Sequence, residues 1–206
     1  MQSNTSTGLL TQLALDPKAQ DLLFREARTP NTFTDEPVTD ARLEAIHDLL
    51  RFAPTSMNQQ PLRMVVLRSP GARERLLAHM DGRNREKTAA APTVLILAAD
   101  LRFDELLPAL FPHAPNAREV FAEPVGRRES ARFNATLQIG YFILAARAAG
   151  LSVGPMLGFD AAGVDRAFFP DGRDESLLVV NLGQPGPDAF FPRLPRLTFE
   201  QFTTFV

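Results

Sequence analysis

Apolar positions along the chain alternate between helical and strand spacing. Residues 19–28 carry the pattern of a short helix. Pro37-Val38-Thr39-Asp40 then opens a second helix, with Leu43, Ile46, Leu50 and Ala53 on one face and Pro54 as its stop. After a polar turn over residues 55–60, the run 62–67 is β-branched and apolar enough for a strand. Residues 70–80 read as helix. Pro92 precedes a continuous apolar run, 93–99, as expected of a strand buried on both faces, and residues 176–183 repeat that character. A long helix is expected over 129–149, with Phe133, Leu137, Gly140, Tyr141, Leu144 and Ala148 on one side and Gly150 as a left-handed C-cap. Asp160 is placed to cap a further helix through Phe168.

Two stretches break the pattern. Residues 106–126 contain Pro108, Pro112, Pro115 and Pro124, which interrupt any long helix and suggest a lid or substrate loop. The tail, 184–206, is Pro-rich yet carries Phe190, Phe191, Leu194, Leu197, Phe199, Phe202 and Phe205, an apolar load that calls for burial, on another subunit or on its own. Gly140, Ala145, Ala146, Ala148 and Ala149 would let a second helix approach the long helix closely, as in a dimer core or in the centre of a monomer.

With 206 residues, 45% of them hydrophobic and 22% charged, the chain can bury a sizeable core, and one domain over 1–206 is expected. A net charge of -2 offers no field for phosphate backbones or anionic bilayers, so neither nucleic acid nor membrane is an expected partner. The absence of cysteine removes disulfide, thiolate and iron–sulfur chemistry. No export signal or spanning run is read, and a cytoplasmic location is the simplest expectation.

Hydrolytic and nucleotide-fold readings also fail. No Gly-x-Ser-x-Gly elbow, P-loop or Gly-x-Gly-x-x-Gly turn is present, and His47, His79 and His113 stand far apart without metal-ligand spacing. A chain without its own nucleophile, metal or acid/base dyad can still be an enzyme if a cofactor brings the chemistry. Three separated segments could bind a phosphorylated planar ligand. Residues 27–33 contain Arg28, Thr29 and Asn31, suited to a phosphate. Residues 53–61 contain Thr55, Ser56 and Asn58, whose carboxamide donates and accepts in one plane, as a flavin edge requires. The third pairs residues 154–160, with Pro155, Met156 and Gly158, with Arg193 and Arg196 of the tail. Taken singly, each is an ordinary turn or surface charge.

In this order and at these intervals the segments resemble the nitroreductase-like FMN flavoproteins from about residue 24 to 199. The Ala53-Pro54-Thr55-Ser56-Met57-Asn58-Gln59-Gln60-Pro61 stretch is the most specific match. Within that family the likeness is to the malonic semialdehyde reductase branch, through residues 27–29, 110–113, 154–160 and 193–197. The resemblance implies an α+β fold with a central mixed sheet flanked by helices, in an intertwined homodimer with an extended C-terminal tail. It implies FMN at the subunit interface, reduced by NADH or NADPH in ping-pong turnover with a small organic acceptor such as a 3-oxo acid, quinone or nitroaromatic. By motif, Arg28, Thr29, Arg196 and Arg193 would hold the phosphate; Asn31 lies in the same turn. Thr55, Ser56 and Asn58 would line the ring and ribityl chain, and backbone at Pro155, Met156 and Gly158 would face the reactive side. Many members carry two consecutive basic residues where this chain has Ala27-Arg28. On the substrate side, Phe111 or Phe121 is expected as an apolar wall and Arg118 as a carboxylate anchor. Rival readings are a flavin-binding or storage module without efficient turnover, and an interaction protein with no cofactor.

Overall fold

The computed structural model describes residues 13–206. Strands Leu62–Val66 (β1), Thr93–Asp100 (β2), Ser152–Met156 (β3) and Asp174–Gly183 (β4) form one sheet in the order β1-β2-β4-β3. β2 pairs with β4 from Thr93↔Leu182 to Asp100↔Asp174, with a bulge between Leu97 and Ala98. Every pairing is antiparallel. Any parallel pairing of the expected mixed sheet therefore lies outside these four strands of one chain. β2 is buried along its whole length, as its unbroken apolar run requires.

The helices are Pro17–Gln20 (α1), Asp40–Leu50 (α2), Pro70–Leu77 (α3), Gly82–Ala90 (α4), Leu107–Leu110 (α5), Pro124–Ala148 (α6), Ala161–Phe168 (α7) and Phe199–Phe202 (α8). α1 runs into a wider turn, Asp21–Arg25, which shortens the helix expected over 19–28. The strand period of two divides β2 between two cores. Leu95 and Leu97 pack with Ile46, Leu50 and Phe142 under α2 and α6, whereas Val94, Ile96 and Ala98 pack with Leu76 and Val164 under α3 and α7.

Four differences from the sequence reading have local causes. α6 begins at Pro124, because proline is tolerated at the first helical position and the Glu123 side chain accepts the Gly126 N–H at 2.9 Å. The stretch read as a lid, 106–126, is mostly exposed but pinned at three points: its Leu107, Ala117 and Phe121 join Phe103 in a third core with Ala131 and Ala135 of α6. α4 has little apolar patterning and buries only Thr88, so periodicity gave no sign of it. The segment Gly154-Pro155-Met156 belongs to β3, not to a turn; as an edge strand, β3 tolerates the missing proline N–H.

The long helix buries a second stripe. Ala131, Ala135, Ile139, Phe142 and Ala146 face the core. The expected apolar side faces outward, with Phe133 67% and Leu137 and Tyr141 each 43% exposed. The aromatic tail residues 190, 191, 199, 202 and 205 are exposed as well. Gly150 has φ 74°, as a left-handed C-cap requires.

Candidate functional site

The first polar turn is stitched to the chain that leaves β4. Asn31 N–H donates to Ala189 O at 2.8 Å, Gly186 N–H to Thr32 O at 3.0 Å and Thr34 N–H to Gln184 O at 3.0 Å. Thr32 Oγ1 donates to Pro187 O at 2.6 Å, and Asn31 Nδ2 to Ala189 O at 3.2 Å. Glycine is required at 186, since a Cβ there would lie 2.9 Å from Phe33 O and 3.0 Å from its carbonyl carbon.

This stitching creates a cleft of about 370 Å³ lined by Arg28, Thr29 and Asn31 from the turn and Arg193 and Arg196 from the tail. The four residues expected at a phosphate, Arg28, Thr29, Arg193 and Arg196, line this one cleft together with Asn31. Arg147, at the end of α6, lines the same cleft and was missed by the sequence reading, because nothing in a helical Ala-Ala-Arg-Ala-Ala marks it out. No carboxylate side chain lines the cleft, and among the described residues none of these four arginines forms an ion pair. Each is steadied instead by carbonyl oxygens. Arg28 donates to Phe191 O at 3.4 Å and Arg147 to Leu23 O at 2.7 Å, while Arg193 reaches Arg25 O. Arg196 donates to Leu194 O at 2.9 Å. Burial, then the charge of Arg193, lowers the pKa of Arg147 from its ordinary value.

Asn31 also borders a second cleft of about 460 Å³, with Thr32, Phe33, Arg83, Glu86, Lys87 and Ala90. α4 thus brings Arg83 and Lys87 beside the turn, two cations that the sequence reading did not single out. Near the start of the same helix, Asp81 N–H and Asn84 Nδ2 donate to Gly158 O at 3.1 and 3.3 Å. A Cβ on Gly158 would come within 2.4 Å of Asn84 Nδ2, so glycine permits that close approach. The Met156 sulfur accepts long contacts from Thr88 Oγ1 and Asn181 Nδ2, at 3.9 and 4.0 Å.

Thr55, Ser56 and Asn58 lie elsewhere. They line neither cleft, nor do Pro155, Met156 and Gly158. Their loop has left-handed backbone at Met57, Asn58 and Gln60, with φ of 49°, 51° and 46°. Such conformations persist only where the surroundings over-determine them. Here the Ser56 N–H donates to Asn134 Oδ1 at 2.8 Å, and buried Gln59 accepts from Ser130 Oγ and Asn134 Nδ2, both at 3.1 Å. Leu62 N–H donates to Gln138 Oε1 at 2.9 Å. The Thr55 hydroxyl accepts the Gln60 N–H at 3.2 Å, and Asn58 Nδ2 donates to Leu110 O at 2.8 Å. Ser130, Asn134 and Gln138 all sit on α6, and α6 holds the loop outward, with Ser56 and Asn58 exposed.

The three substrate-side candidates separate. Phe111 is half-buried, stacks on His113 with centroids 3.9 Å apart, and adjoins the Leu110 carbonyl that holds Asn58. Phe121 is 8% exposed and packs edge-to-face on Phe103 at 4.9 Å. It packs in the third core and lines neither cleft. The Arg118 side chain is 59% exposed and its Nε donates to Asp104 Oδ2 at 3.0 Å, so its charge already has a partner.

The fold agrees with the comparisons. The family model described as the nitroreductase family matches residues 24–184, and the chain belongs to that family. A protein of Streptomyces griseus, named provisionally as an NADH dehydrogenase/NAD(P)H nitroreductase, is 58% identical over 195 residues, covering 94% of this chain and 99% of its own. Among solved structures, a provisionally assigned nitroreductase from Bacillus subtilis superposes with TM-score 0.78 at 23% identity, covering 89% of this chain and 97% of its own. Another from Exiguobacterium sibiricum, determined in complex with FMN, also gives TM-score 0.78, at 19% identity, over 95% and 99% of the two chains. Among the described residues no helix is long and apolar enough to cross a membrane.

Proposed function

We propose that the chain is an FMN-dependent NAD(P)H oxidoreductase acting on a small organic acceptor. The observation that carries this reading is the carboxylate-free arginine cleft between the first turn and the tail. Holding like charges together without counter-charge is unfavourable, and a phosphate dianion offsets it with charge-assisted hydrogen bonds. Asn31 also borders the second cleft, with Phe33, Arg83, Glu86 and Lys87, so an elongated ligand with phosphate at one end has room on both sides of that residue. Membership of the nitroreductase family supports FMN as that ligand.

When bound, FMN supplies the ring that takes a hydride from NAD(P)H and gives it to the acceptor. The protein's part is to bind and to orient. Arg28, Thr29, Arg193 and Arg196 grip phosphate, with Asn31 at the turn. Backbone near Met156 and Gly158 would face the reactive side of the ring, where N–H groups would stabilise developing negative charge. Thr55, Ser56 and Asn58 contact the ring and ribityl chain from a second copy of the chain. Their distance from the arginine cleft of their own chain supports this, as does the exposed apolar face of α6 that carries their loop. A homodimer of one-domain subunits would bury that face, and acceptors of the 3-oxo acid class such as malonic semialdehyde, quinones and nitroaromatics fit a site that offers stacking rather than acid/base groups.

The test is a visible spectrum of the purified protein followed by anaerobic mixing with NADH and NADPH and then with an acceptor panel. A flavin spectrum bleached by a nicotinamide and restored by an acceptor is expected. A colourless protein after FMN addition overturns the reading, and a yellow protein that neither nicotinamide reduces favours a storage role.

A further inference from the structure

We infer that Arg147, at the C-terminal end of α6, is a phosphate-binding residue of this cleft. The inference rests on the proposed binding of FMN. Ala27 stands immediately before Arg28 and lines the cleft, and Arg147 lines it too, so the position beside Arg28 is apolar while a guanidinium from a distant element faces the same space. Arg147 also borders the adjoining cleft of about 240 Å³, again with Ala27 and Arg28, which puts it at the junction of the two.

The half-buried Arg147 is placed at a cost that the free protein does not offset. It forms no ion pair among the described residues, and the charge of Arg193 opposes its own. Its one recorded hydrogen bond, from Nη1 to Leu23 O at 2.7 Å, fixes one edge of the guanidinium and leaves its other N–H groups available. The end of a helix presents carbonyl oxygens and partial negative charge, which retains a cation there before any ligand arrives. Arg147 is therefore anchored by protein dipoles on one side and shares the larger cleft with three arginines and no carboxylate, while Glu26 lines the adjoining one. A phosphate dianion satisfies that arrangement.

The experiment separates phosphate recognition from support of the fold. Apoprotein and its Arg147→Gln variant are titrated with FMN and with riboflavin, which shares the ring and ribityl chain but lacks phosphate, with flavin fluorescence as the readout. Loss of a charge-assisted contact weakens FMN by about tenfold to a hundredfold and leaves riboflavin within about twofold. Equal losses for both ligands, or no loss for either, overturn the inference. Should Arg147→Gln fail to fold, Arg147→Lys, which keeps charge and stem but loses the fork, is read as the same FMN-to-riboflavin ratio. A ratio reduced several-fold supports the inference and an unchanged one overturns it. If the unaltered protein binds riboflavin as tightly as FMN, or neither, the FMN reading itself fails, an outcome distinct from failure of the Arg147 assignment.

Discussion

Asn134 Oδ1 accepts the backbone N–H of Ser56 across 2.8 Å, joining the middle of α6 to a loop 78 residues earlier in the chain. The same side chain donates to Gln59 Oε1 and to Ser130 O, so one carboxamide orders both the entry and the exit of the left-handed segment. Asn134→Ala would leave the Ser56 N–H without this partner and remove a donor from buried Gln59. A loss of about 1–3 kcal/mol of stability is expected, read by urea denaturation, together with weaker binding of riboflavin as well as FMN, because the loop serves the ring rather than the phosphate. Unchanged flavin affinity would separate the loop from the ring.

Gly186 touches the backbone of Phe33, not a movable side-chain end. Gly186→Ala should therefore cost about 1–3 kcal/mol and spread the turn from the tail. FMN affinity should fall with stability, and a melting temperature equal to that of the unaltered protein would contradict the contact.

Phe111 and Phe121 separate by burial. Phe121→Ala should destabilise by about 3–5 kcal/mol, as expected for a large cavity in the third core. Phe111→Ala should leave the unfolding transition nearly in place and shift KM differently among quinones, nitroaromatics and 3-oxo acids. Melting curves and an acceptor panel read both.

How far the sequence carried follows from these cases. The strands at β2 and β4 and the cap at Asp160 were legible because local pattern and final environment agree. Arg28, Thr29, Arg193 and Arg196 were legible one by one, and their convergence on one cleft is seen only when residues 31–34 meet residues 184–189. Arg147 and α4 left no local signal: an arginine on a small-residue helix and a nearly all-polar helix acquire meaning from what packs beside them. The packing of Phe121 on Phe103 was not legible, because an aromatic in a proline-rich stretch has the same sequence signature whether it faces a pocket or a core.

Asp174 lies opposite Asp100 at the end of the β2–β4 ladder, and its Oδ1 is buried without a hydrogen-bond partner among the described residues. Burial first, then the Asp100 carboxylate, raises its pKa above the ordinary value, against the opposing pull of Arg63 and Arg173. Asp100 itself is held by Arg63 at 2.5 Å and Arg173 at 3.1 Å. The folded state therefore binds a proton more readily at Asp174 than the unfolded state does. Its contribution to stability falls as pH rises from the ordinary aspartate range through the raised folded value. Asp174→Asn should raise the melting temperature at pH 7, with the difference shrinking as pH drops toward about 4. A difference that is constant with pH would exclude the ionisation.

Phe133, 67% exposed, is more exposed than Leu137 and Tyr141 on the outward apolar side of α6. Phe133→Asp should convert the proposed dimer to monomer in sedimentation velocity and release FMN, because Thr55, Ser56 and Asn58 would no longer reach the partner's cleft. A dimer that persists with its flavin would place the interface elsewhere.

The stitching of residues 31–34 to residues 184–189 also sets an order of events during synthesis. Arg28 is made 168 residues before Arg196, so the full set of guanidinium groups cannot assemble until the chain has been made through residue 196. Tight binding at this cleft would therefore report that segments far apart in the sequence have already found each other.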